Sequence, residues 1–170
     1  MKHALLLALA LPLTACGLKP LYAGGGSGAV ANALAGVEVD AIEGRSGWLV
    51  ANALRDRLAA GGAPRWRLQI RLDDKIAGLG VRSDDSVSRE RRTLRARYQL
   101  VEAGTGTVVL DATAGSDAGI DVVGSEYATI AAENTALERL AGIVADQIVA
   151  RIALYARRTT TTPGATPPAS

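Results

Sequence analysis

From Arg65 to Leu72 the chain alternates without interruption. Trp66, Leu68, Ile70 and Leu72 fall on one side, and Arg65, Arg67, Gln69 and Arg71 on the other. A repeat of two is that of a β-strand with one buried and one wet face, and a helix does not accommodate it. The same rule governs residues 93–100, where Leu94, Ala96, Tyr98 and Leu100 oppose Thr93, Arg95, Arg97 and Gln99. Two such strands require a sheet with one apolar face, and other apolar elements must cover it.

Two amphipathic stretches supply the cover. After Gly44-Arg45-Ser46-Gly47, with Ser46 suited to cap a helix, Val50, Ala53, Leu54 and Leu58 recur at helical spacing. Gly61-Gly62 and Pro64 then stop that helix. A second helix is predicted over residues 125–158, a run without proline. Its stripe is Ile130, Leu137, Leu140, Val144, Ile148, Ile152 and Tyr155. At 1.5 Å per residue it reaches about 50 Å, longer than an ordinary sheet, so it either overhangs or bends, with Gly142 as the weak point.

The remaining elements follow in order. Val37, Val39 and Ala41 alternate with Glu38 and Asp40, which predicts a first strand over residues 35–42. Strand, helix and strand make a crossover, so the first two strands are parallel. Residues 73–85, with Gly78, Gly80 and several aspartates, read as a loop. A third strand over residues 87–102 turns at Ala103-Gly104-Thr105-Gly106 into a fourth, whose buried side is Val108, Leu110, Ala112 and Ala114. The fold expected is α+β, two helices packed on one face of a four-stranded mixed β-sheet in the order β-α-β-β-β-α. It forms a single domain over residues 34–158. Residues 159–170, all Thr, Pro, Gly, Ala and Ser apart from the ordering helix before them, are expected to be a disordered tail.

If both helices lie on the apolar side, the polar side stays open. There Arg67, Arg71, Arg95 and Arg97, interleaved with Gln69 and Gln99, make a basic field, which Arg89, Arg91 and Arg92 would extend. Guanidinium groups match phosphate with paired hydrogen bonds, so a phosphorylated glycolipid or an acidic protein wall is a fitting partner. The alternative is a solvated face on which Glu38, Asp40 and Asp111 pair across strands with these arginines. Asp73-Asp74 and Asp84-Asp85 are read as solvating a loop.

The amino-terminal segment carries a different message. Met1-Lys2-His3 precedes an apolar run that is too short for a permanent span, and Leu13-Thr14-Ala15 leads directly to Cys16, the only cysteine. This is similar to a bacterial lipobox, which implies that residues 1–15 are a signal peptide and that Cys16 is lipidated. Each buried methylene adds about 0.8 kcal/mol, so several acyl chains anchor stably. Gly17 follows, where lipoproteins kept at the inner membrane generally have aspartate, so the outer membrane, periplasmic side, is the expected address. The glycine-rich segment up to residue 33 reads as a flexible tether. Cleavage removes His3, the only histidine. What remains cannot build a histidine-based zinc site, a Ser-His-Asp triad or a Cys-His pair, so no enzyme, metal or cofactor is expected. The near balance of charge argues against nucleic acid.

Three stretches together carry a family resemblance: Cys16-Gly17-Leu18-Lys19-Pro20-Leu21-Tyr22, the passage Ile42-Glu43-Gly44-Arg45-Ser46-Gly47 into Leu54, and the long carboxy-terminal helix. The chain resembles the lipopolysaccharide-assembly lipoprotein family, in its alphaproteobacterial form. Trp48 departs from the polar residue expected in that pattern. The resemblance implies a non-catalytic subunit of the lipopolysaccharide translocon that plugs a large outer-membrane β-barrel, helps it to assemble and contacts lipopolysaccharide. The other reading is a free-standing lipoprotein that binds lipid or peptidoglycan.

Overall fold

The computed structural model describes residues 29–58, 61, 63–81 and 87–161. Cys16, the lipobox and Asp84-Asp85 lie outside them. The elements are α1 (Ala29–Ala35), β1 (Val37–Val39), α2 (Gly44–Arg57), β2 (Trp66–Val81), β3 (Val87–Glu102), β4 (Val108–Asp121) and α3 (Glu126–Thr161). After the short α1 this is the expected β-α-β-β-β-α order. The sheet order is β1-β2-β3-β4, with β1 parallel to β2 and the other neighbours antiparallel.

Parity decides the faces. Leu68, Leu94, Ala96, Tyr98 and Leu100 are buried beneath the helices together with Val50, Leu54, Leu137, Leu140, Val144, Ile148 and Ile152. The α2 and α3 helices run parallel to each other. Arg45 near the start of α2 donates to Asn134 Oδ1 (2.7 Å), and Arg57 at its end donates through Nε to Asp146 Oδ1 (2.6 Å). Both contacts have the same sequence offset, so the helices advance in step. Hydrogen bonding to Asp146 is the main reason that the Arg57 guanidinium is held above its ordinary pKa. The small side chains Ala112, Ala114 and Ala118 of β4 let α3 pack close over that strand.

Several sequence expectations are corrected. Residues 29–33, assigned to the tether, belong to α1, which also takes residue 35 from the expected first strand, and Leu34 enters the core. The first strand shrinks to three residues. Ser46 is not the cap, because α2 begins at Gly44, at φ +78°, with Glu43 in the cap position making no side-chain bond. The largest correction is β2, which runs to Val81 through the segment read as a loop, in unbroken register with β3 from Trp66↔Glu102 to Val81↔Val87. Glycine and aspartate are poor strand formers, but cross-strand partners override local preference. The α3 helix continues unbroken through Gly142 and reaches Thr161, past the start assigned to the tail. No described helix is long and apolar enough to cross a membrane.

Candidate functional site: the open sheet face

Register pairs place Arg71 beside Arg97, Gln69 beside Gln99, Asp73 beside Arg95, and Glu38 beside Arg67. Side chains alternate faces, so all of these project away from the helices. Arg67, Arg71, Arg95 and Arg97 are exposed. The structure thus brings the predicted arginines onto one uncovered face, and Arg71, Arg95 and Arg97 line a shallow depression of about 780 Å³ with Thr113, Gly115 and Gln147. A second hollow, about 480 Å³, adjoins it at Arg71 and Arg97 and reaches Asp40 and Gln69. Arg67 lies outside both.

The four arginines are not equivalent. Arg97 meets Asp111 through two bonds, Nε to Oδ1 (3.3 Å) and Nη2 to Oδ2 (3.1 Å), and Gln99 Nε2 donates to the same Oδ2 (2.8 Å). The bond from Arg97, then that from Gln99, holds the Asp111 carboxyl below the usual carboxylate range. Among the described residues, Arg67, Arg71 and Arg95 have no carboxylate within ion-pair distance. The solvated-face alternative therefore accounts for Arg97 and Asp111, whereas Glu38 and Asp40 enter no ion pair with the field. An exposed pair of this kind is screened by water and adds little net stability. A multiply charged ligand can displace it.

The outer arginines differ from expectation. Arg89 pairs with Asp121 (3.1 Å) and Arg91 approaches Asp117 (4.0 Å), so both are partly neutralised. Arg92 is not on this face at all. It has the parity of Leu94, points under α3, binds Asp74 through Nε and Nη2 (2.9 and 2.7 Å), and donates to the Glu133 carbonyl (3.1 Å). Asp74 is therefore half of a shielded ion pair, not a solvated loop residue.

Two contributors to the site were not singled out from sequence. A Cβ on Gly115 would stand 2.5 Å from Arg95 Cδ and 2.9 Å from the Leu94 carbonyl oxygen. The bare backbone is what lets Arg95 lie flat across β4. Gln147 of α3 reaches the same glycine, accepting from its N–H (2.9 Å) and donating to its carbonyl (3.4 Å). The signal for Gly115 is a glycine inside an alternating strand, a pattern that marks close approach.

Two helices layered on a four-stranded mixed sheet, with the other face open among the described residues and rich in arginine, define an α+β domain with a basic sheet surface. The chain belongs to the LptE family, lipopolysaccharide-assembly, whose model matches residues 34–152. Membership makes it an assembly protein and not an enzyme. Among solved structures, a Caulobacter crescentus CB15 protein described as a lipoprotein shares the fold with a TM-score of 0.65 and 24% identity, over 81% of this chain and 100% of that one. A minor lipoprotein of Acinetobacter baumannii has a TM-score of 0.53 at 13% identity, over 77% and 94%. At these identities the likeness concerns the fold alone. No curated protein matches the sequence.

Proposed function

We propose that this chain is the lipid-anchored subunit of the outer-membrane lipopolysaccharide translocon. It is held through Cys16 on the periplasmic side, lodges in a large β-barrel partner that it helps to assemble, and contacts lipopolysaccharide with its open sheet face. Family membership supports the assembly role. The observation that carries the ligand is the set of three arginines, Arg67, Arg71 and Arg95, that project from an uncovered face without a carboxylate partner among the described residues. Fork-shaped guanidinium groups without an internal acceptor suit the phosphates of a glycolipid.

Affinity purification of the tagged chain from gently solubilised outer membranes should bring down a very large β-barrel protein. Recovery of the chain alone would sink the barrel assignment and favour a free-standing lipoprotein. Replacing Arg67, Arg71, Arg95 and Arg97 together by Ser should weaken lipopolysaccharide binding at least about tenfold, with little change in thermal stability because all four are exposed. Unchanged binding would reduce the field to a solvated surface.

A further inference from the structure

Arg71 and Arg97 stand directly opposite each other on β2 and β3, and both line both hollows of the open face. Like charges so placed repel across a strand pair. The repulsion is relieved from one side only. Asp111, on β4 opposite Gln99, accepts from Nε and Nη2 of Arg97 and draws that guanidinium towards β4, the side away from Arg71. Three N–H groups therefore converge on one carboxylate, two from Arg97 and one from Gln99. An edge-on guanidinium offers the same paired bonds to a phosphate as to a carboxylate, so Asp111 occupies the donors that an entering phosphate needs. The Arg97 side chain is 68% exposed against 37% for Asp111, so the arginine is the end of the pair that turns without disturbing its neighbours.

We propose that Asp111 is a built-in competitor for a phosphate seat between Arg71 and Arg97: it holds Arg97 by the donors the ligand requires, and yields it to a phosphate monoester or a diphosphate. Charge decides which anions succeed. A singly charged anion only replaces one negative charge by another at Arg97, and it still meets the Asp111 carboxylate beside it. A phosphate with about two charges brings a second one, which Arg71 receives. Arg71 has no carboxylate of its own within ion-pair distance among the described residues, so that gain is not offset by a second displaced partner. Asp73, the other carboxylate lining the hollow, is already engaged by Lys75 Nζ at 2.7 Å. Asp111 thus sets a threshold of charge for entry. This role rests on the open face being the ligand face proposed above.

Calorimetric titration of the full chain, in a non-ionic detergent, with inorganic pyrophosphate tests the competition. D111N keeps the shape and one acceptor but removes the charge, and should tighten pyrophosphate binding about fivefold. D111N/R97S should lose that gain. D121N is the charge-matched control, because Asp121 pairs with Arg89 on the same face, about 34 Å further along β4. At that distance salt screens the charge, so D121N should change binding by less than about twofold. In nitrogen-15 spectra, pyrophosphate should move the Arg97 Nε–H signal of the wild type. Unchanged affinity in D111N, equal tightening in D121N, or no binding by either the wild type or D111N overturns the inference. Lipopolysaccharide added to D111N as a competitor separates the sources of phosphate. Displacement of pyrophosphate identifies a lipid headgroup, whereas no displacement sinks the lipopolysaccharide reading and leaves Asp111 the competitor of a soluble phosphate.

Discussion

Two helical glycines that look alike in the sequence sit in opposite surroundings. A Cβ on Gly47 would stand 2.6 Å from the Ile42 carbonyl oxygen and 2.7 Å from its carbon, both backbone atoms of the turn that leads into α2. A Cβ on Gly142 would meet nothing closer than Arg57 Nη2 at 3.7 Å, an ordinary contact. G47A should therefore cost about 1–3 kcal/mol through forced backbone movement, whereas G142A should gain up to about 1 kcal/mol of helix propensity. Opposite shifts of the urea midpoint would show this; equal shifts would contradict it. From sequence, Gly142 stood out as a weak point, yet the helix passes through it straight into Asp146 and its partner Arg57. Periodicity locates a glycine on a helix but cannot show what faces it.

At the level of elements, the start of α3 is fastened to the sheet by Arg92. Its side chain and that of Asp74 are 12% and 19% exposed, and it also holds the Glu133 carbonyl. R92M leaves the Asp74 carboxylate shielded without a counter-charge and should destabilise by about 3 kcal/mol. The double variant D74L/R92M should recover most of that loss, and a double-mutant cycle by urea unfolding would measure the coupling. A coupling near zero would mean that the pair is merely surface charge. The parity of Arg92 with Leu94 was legible in the sequence. Its partner was not, because Asp73-Asp74, Gly78 and Gly80 read locally as a loop. What makes them strand is a register with residues 89–95, and no window of sequence contains both. Conversely, the clean alternation at 65–72 and 93–100 placed Arg67, Arg71, Arg95 and Arg97 on one face correctly. That Asp111 would pair with Arg97 and with none of the other three depended on a third strand.

Taken whole, the molecule is unevenly packed. Its fully buried side chains, among them Leu54, Leu68, Leu94, Leu100, Leu137, Val144 and Ile148, lie where both helices cover the sheet. Beyond the level of Asn134, where α2 begins, only the first turns of α3 lie over the sheet. There Ile76 and Ile130 are 42% and 47% exposed, and Glu90 Oε2 is buried without a hydrogen bond. Native-state hydrogen exchange should find amides near Ala77, Arg91 and Ala118 released by partial opening, and those near Leu68, Leu100 and Ile148 only by global unfolding. Uniform protection would contradict this gradient. The layer order was readable because each face follows from alternation; the gradient was not, because it depends on where two distant helices fall level with one another. The lateness of α3 has a further consequence, in time. It is the last element of the domain and the main cover of β3 and β4. A chain synthesised amino end first has no partner for that apolar face until residues near Ile148 have been made, so β3 and β4 wait uncovered for the helix that closes them.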